Sequence, residues 1–154
     1  DSRPDYPYTV QTFEDQGREH LEPGQTYDFY NGDPPTTGPH APSPAELGVH
    51  DLPVAKEALP HNLEHGGVVL LYDCSAGETP LDNTGCQELR DQLAAITESN
   101  LSDGKLVLMV PYPGMEHPIA LTAWRTLDGL DEFDEQRVQA FIDSFDRKFN
   151  PEGF

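Results

Sequence analysis

A chain of 154 residues carrying 9 basic and 28 acidic side chains has a formal net charge of −19. The length suits one domain with a sizeable core. The charge excludes nucleic acid as a partner, because phosphate binding needs a basic face, and an anionic membrane surface would repel it. What the charge favours is solubility and the attraction of cations, as in a halophilic or acid-rich extracytoplasmic protein.

The first 60 residues hold most of the prolines and few long apolar runs. Tyr8–Phe13 alternates weakly and predicts a short edge strand. Thr26–Tyr30 predicts a second. Between Asn31 and His40, three prolines and two glycines exclude helix and predict a turn-rich path. Tyr27, Phe29 and Tyr30 offer it an aromatic surface, so an ordered loop wrapped over the domain is expected. From residue 61 the pattern becomes α/β. Val68–Tyr72 reads as a buried strand within 67–72. A helix follows at about 84–98, with Leu89, Leu93 and Ile96 on one face and Asn83 or Thr84 as its cap. Lys105–Val110 and Ile119–Trp124 are strands. Asp134 begins a last helix at about 134–148, with Val138, Phe141, Ile142 and Phe145 turned inward. The expected fold is α/β (α+β): a small mixed sheet with two main helices on one face, behind a Pro/Gly-rich N-terminal segment. The expected organisation is a single domain over 1–154, with 1–60 as wrapping segment and 61–149 as core. No apolar stretch approaches the ~18 residues of a membrane span. The chain starts at Asp1 and not Met, which leaves room for a removed leader or anchor.

Cys74 and Cys86 flank a Gly/Thr/Pro/Asn-rich loop. A disulfide, a thiol metal site and two unrelated thiols compete. The disulfide is preferred: closing such a loop contributes ~3 kcal/mol in the chain-entropy model, and it places the protein in an oxidising compartment.

The stretch His61-Asn62-Leu63-Glu64-His65-Gly66-Gly67 carries the chemistry. On one helical turn His61 and His65 leave the same face and can reach one ion. Gly66 and Gly67 end the turn and admit a neighbouring segment. His40, His61 and His117 all adjoin prolines, and stiff backbone lowers the entropy lost on ordering ligands. Met115 lies in the proline-bounded loop Pro111–Pro118, near His117; Met109, inside a strand, reads as core. A thioether beside imidazoles suits copper better than magnesium or calcium. His61–His65 also matches H-x-x-E-H, the inverted zinc-protease signature with Glu64 activating water, but that motif needs a helix that continues past Gly66. No G-x-S-x-G and no phosphate-cradling loop is present.

Three segments resemble the bacterial domain-of-unknown-function family numbered 3105. They are Pro34-Pro35-Thr36-Thr37-Gly38-Pro39-His40, His61–Val69, and Pro111-Tyr112-Pro113-Gly114 with Thr122-Ala123-Trp124. Gly17-Arg18-Glu19-His20 resembles the family's N-terminal histidine segment, so the likeness spans about residues 10–127. It implies an extracytoplasmic bacterial protein, often behind a signal or membrane anchor, with no established catalytic activity. By motif position His20, His40, His61 and His65 carry over as its characteristic histidines. Cys74, Cys86 and Met115 lie outside the pattern, so the bridge and the thioether rest on the local reading alone.

The expectation is a periplasmic or extracellular protein that binds and delivers metal through His40, His61, His65 and Met115, with His20 competing for the fourth place. Copper is preferred to zinc on ligand softness and the Irving–Williams order. Its partners are then the metal ion and an envelope protein that gives or receives it. The competing classes are a metal-free interaction module of an envelope complex and a small zinc or copper enzyme.

Overall fold

A computed structural model describes residues 6–148. Residues 1–5 and 149–154, which the expected single domain includes, lie outside the described residues. In chain order the elements are β1 (Gln11–Thr12), β2 (Gly48–Val49), a 3-10 turn (Lys56–Ala58), α1 (Leu59–Glu64), β3 (Val68–Tyr72), α2 (Asn83–Ser102), β4 (Val107–Pro111), β5 (Ile119–Ala123), β6 (Thr126–Leu130) and α3 (Glu135–Phe145). The six strands form one sheet in the order β1-β6-β5-β3-β4-β2. β4 runs parallel to both β2 and β3, and the remaining pairs are antiparallel. The sheet is mixed, as expected of an α+β fold.

Alternation along β3 explains why its whole length is apolar. Val68, Leu70 and Tyr72 face one way, with Val107, Met109, Ile119 and Leu121. α2 covers this side with Leu89, Leu93 and Ile96, and α3 with Val138, Phe141, Ile142 and Phe145. Val69 and Leu71 face the other way, with Leu108, Val110 and Ala120. That side meets Leu59 and Leu63 of α1, Trp124 and Met115. A strand buried on both faces has no polar positions to alternate with. The two main helices lie on one face as expected; α1 and its preceding loop close the other.

Both long helices start on an aspartate. Asp134 accepts from the Arg137 backbone N–H at 3.1 Å, as its sequence position predicts. For α2 the cap is Asp82, accepting from Gly85 N–H at 2.7 Å, and not Asn83 or Thr84. The cap falls one residue early because a carboxylate at 82 reaches the third N–H. Cys74 and Cys86 are disulfide-bonded with Cα atoms 5.6 Å apart, which pins the β3–α2 loop to the start of α2.

Two expectations need correction. Thr26–Tyr30 is not a strand: two of its backbone groups are taken by side chains. Gln16 Nε2 donates to Phe29 O at 2.9 Å, the Tyr27 N–H donates to Glu57 Oε2 at 3.0 Å, and the Tyr27 and Tyr30 rings meet at 4.7 Å. Phe29 is left 77% exposed. Conversely, no strand is expected between Trp124 and Asp134, yet β6 lies there. The Asp128 carboxylate is tolerated at 2% exposure because Arg137 grips both of its oxygens and Tyr6 donates its hydroxyl to one. At Gly129 the backbone lies against His117: a Cβ there would sit 2.5 Å from its Cδ2 and would force the imidazole to shift.

The loop before His40 packs closely, as expected. Residues 34–38 are buried, and Tyr30 donates its hydroxyl to Pro39 O. Among the described residues no helix is long and apolar enough to cross a membrane.

Candidate metal centre

α1 presents two faces. Leu59 and Leu63 pack into the sheet-facing cluster. Side chains two positions apart on a helix diverge by ~200°, so His61 and His65 leave the opposite side. Pro60 sits in the first turn, where its missing N–H breaks no helical bond. The helix ends in a Schellman arrangement: Gly67 N–H donates to Asn62 O at 2.9 Å and Gly66 N–H to Leu63 O at 3.0 Å. Gly66 has φ +89, and its carbonyl accepts from Arg147 N–H at 2.8 Å. The two glycines therefore stop the helix immediately behind His65 and let the end of α3 close over it. The zinc-protease motif lacks the continuing helix it requires.

The other histidines arrive on backbone. Residues 17–21 run beside 38–40 as a short parallel pairing: Gly38 N–H donates to Gly17 O at 3.0 Å, His40 N–H to Glu19 O at 2.9 Å and Leu21 N–H to His40 O at 2.7 Å. This pairing makes His20 and His40 direct neighbours. Asn62 clamps the next stretch to α1, exchanging two 2.9 Å hydrogen bonds with the backbone of Ala45. Ala41 N–H donates to Glu57 O at 2.8 Å.

Glu57 is a second tie between these loops. Burial pushes its carboxyl up, but the Lys56 ammonium and the Tyr27 N–H more than offset this and hold it below the ordinary glutamate range. A depressed carboxylate stabilises the fold above its unfolded value, about 4.3. That contribution is lost as pH falls through the lower folded value. Glu57→Gln is therefore expected to lose less stability than the parent when the pH drops from about 6 to about 3. Urea midpoints at the two pH values measure this, and equal acid losses in both proteins would contradict it.

His61 stands at the middle of four imidazoles. Its ring centroid lies 4.8 Å from His65, 4.9 Å from His40 and 5.5 Å from His20, with His20 and His40 5.1 Å apart. Two ligand sets result, each with atoms within 4.8 Å of one another: His20, His40 and His61, and His61, Glu64 and His65. His40 and Glu64 are fully buried and His61 is 6% exposed. His20 is exposed, and the His65 side chain is 42% exposed.

The tautomers follow from the partners. His40 Nδ1 lies 2.9 Å from Gly38 O, and His61 Nδ1 lies 2.8 Å from Ala41 O. A carbonyl only accepts, so both Nδ1 atoms carry the proton and donate it. The His61 Nε2 atom is then turned toward the cluster, and the His40 Nε2 atom toward Glu64. A metal-binding histidine commonly donates its second nitrogen to a backbone carbonyl, fixing the ring and raising its basicity. His40 Nε2 lies 3.3 Å from Glu64 Oε2, and His65 Nε2 lies 3.9 Å from Glu64 Oε1. The first of these contacts is compatible with a proton on His40 paired to Glu64 or with a cation held between the two. Ligand atoms around a tetrahedral ion sit roughly 3.4 Å apart at ordinary bond lengths, so the residues present fit a metal with small side-chain movement.

Of the ligands expected from sequence, His40, His61 and His65 fall in this cluster. Met115 is placed elsewhere. It is 7% exposed in the apolar cluster with Leu59 and Leu63, and lines a cavity with Phe13, Pro34, His117 and Leu127. His117 pairs with Asp131 at 2.9 Å, and His50 with Glu46 O at 2.6 Å. Glu64 entered the sequence reading only as a hydrolytic base. Its position three after His61 already puts these two side chains next to each other on one helical turn.

The comparisons with known proteins match this chain to one family. No curated protein and no solved structure matches it. A family model described as a protein of unknown function (DUF3105) matches residues 20–153, from the first histidine of the cluster to beyond α3. The chain therefore belongs to the DUF3105 family.

Proposed function

We propose that this protein binds a transition-metal ion through its histidine cluster, in a periplasmic or extracellular setting, and passes the ion to or from another envelope protein. The observation that carries the reading is the convergence of His20, His40 and His61, from three separate segments, with the His40 and His61 Nδ1–H groups already committed to backbone carbonyls. The Cys74–Cys86 disulfide favours an oxidising compartment. His20, the competitor for the place of Met115 in the sequence reading, joins His40 and His61 in one ligand set, whereas Met115 shares the sheet-facing cluster on the far side of α1.

This exchange changes the metal preference. Without a thioether the set is imidazole and carboxylate, which suits Cu(II) and Zn(II) rather than Cu(I). Copper remains first, since Cu(II) outranks zinc for a given nitrogen and oxygen set. Exposed His20 and His65 leave the ion a way in and out, which fits delivery better than permanent retention.

The test is metal retention. Chelator-stripped protein is mixed with Cu(II) or Zn(II) at neutral pH, desalted, and its metal content measured. Retained copper is the expected result. No metal above background would return the cluster to a structural role, with His40 protonated and paired to Glu64, and would favour a metal-free interaction module.

A further inference from the structure

We infer that the cluster holds one ion in either of two overlapping positions, an inner one at His20, His40 and His61 and an outer one at His61, Glu64 and His65. The inference rests on the metal-binding reading above and concerns how the ion moves. The two ligand sets share His61. Its Nδ1 donates to Ala41 O at 2.8 Å, so Nε2 is the one nitrogen it would offer an ion. An imidazole bridges two ions only when both nitrogens are bare, and here one is held as N–H by a carbonyl. His61 therefore serves one position at a time.

Glu64 supports passage between the positions. Its carboxylate points one oxygen toward each: Oε2 is 3.3 Å from His40 Nε2, and Oε1 is 3.9 Å from His65 Nε2. An ion that leaves the outer set for the inner one exchanges His65 for His40 while keeping a carboxylate and His61 nearby. Each position has one exposed histidine, His65 or His20, and buried companions. An ion can thus be taken up on one side and surrendered on the other without both ligand shells being emptied. A resident catalytic ion needs no such pair of positions; an ion in transit does.

Electron paramagnetic resonance of the Cu(II)-loaded full chain tests this, with copper content measured in the same samples. His20→Ala and His65→Ala alter exposed side chains, so the fold is kept. The expected wild-type result is a single copper per chain whose spectrum contains two components. His65→Ala should keep one component and His20→Ala the other, each still with one copper. His61→Ala should remove both. Two coppers per chain would overturn the inference in favour of a dinuclear centre. One component lost equally in His20→Ala and His65→Ala would overturn it in favour of a single shared site. Wild type that holds no copper would instead sink the metal-binding reading itself.

Discussion

Cu(II) added to the chelator-stripped protein at neutral pH is expected to raise its melting temperature by roughly 8–16 °C once free copper stands about 1,000-fold above the dissociation constant. A ligand that binds only the folded chain at that excess stabilises it by about 4 kcal/mol, and each kcal/mol moves a domain of this size by about 2–4 °C. The coupling to folding is direct, because the ligands come from parts of the chain far apart in sequence. His20 and His40 ride on paired loops, His61 on α1 and His65 at its C-terminal cap. The unfolded chain still carries its six histidines, but without convergence they compete weakly. Protons compete with copper for imidazole nitrogen, so the shift should shrink as the solution is acidified. Melting temperatures that agree with and without copper would count against a folded-state site.

Gly66→Ala should be among the most damaging single substitutions. At φ +89 the residue occupies a left-handed conformation, which costs a side-chain-bearing residue about 1–2 kcal/mol. The added Cβ would also lie 2.8 Å from Arg147 Cα, and backbone cannot rotate aside as a side-chain tip can. Together these predict a loss of at least ~2 kcal/mol. The damage should not stop at stability. Gly66 directly follows His65 and forms part of the Schellman end of α1, so displacing it moves His61 and His65, two of the proposed ligands. Chemical denaturation should show the loss, and copper affinity should fall with it. By contrast, Gly104→Ala has φ +83 but open space around its Cβ, so it should cost less and leave copper binding alone. Equal effects of the two substitutions would remove the argument from close packing at Gly66.

The core of the fold was legible because its signals are local and redundant. The run Val68–Tyr72 has the length and composition of a doubly buried strand, and Leu89, Leu93 and Ile96 repeat at helical spacing toward it. α3 reads the same way through Val138, Phe141, Ile142 and Phe145. What escaped depends on partners distant in sequence. β6 carries Asp128, which is acceptable in a strand only because Arg137 and Tyr6 come to meet it. Thr26–Tyr30 has strand composition, yet Glu57 and Gln16 offer its backbone other bonds.

The site divides along the same line. His61 and His65 announce themselves by a spacing of four, and His40 by its stiff loop. The distinction between His20 and Met115 was not local. It depends on the pairing of residues 17–21 with 38–40, and on which face of α1 each side chain meets. Both lie in loops, and neither loop's sequence says where it folds back. The tautomers of His40 and His61 are likewise set by carbonyls of the wrapping segment, Gly38 and Ala41. Pattern reading supplies candidate ligand types, whereas the segment's path decides which of them come together.

Calorimetric titration of Cu(II) into wild type, His61→Ala and His117→Ala at neutral pH tests the central claim most directly. His61 is the one residue common to both ligand sets. His117 is an imidazole engaged instead with Asp131. Removing an orienting partner costs a metal site about 10–100-fold in affinity, so loss of the shared ligand should exceed about 100-fold while His117→Ala binds as wild type does. Wild type and His61→Ala binding copper with the same affinity would contradict the account.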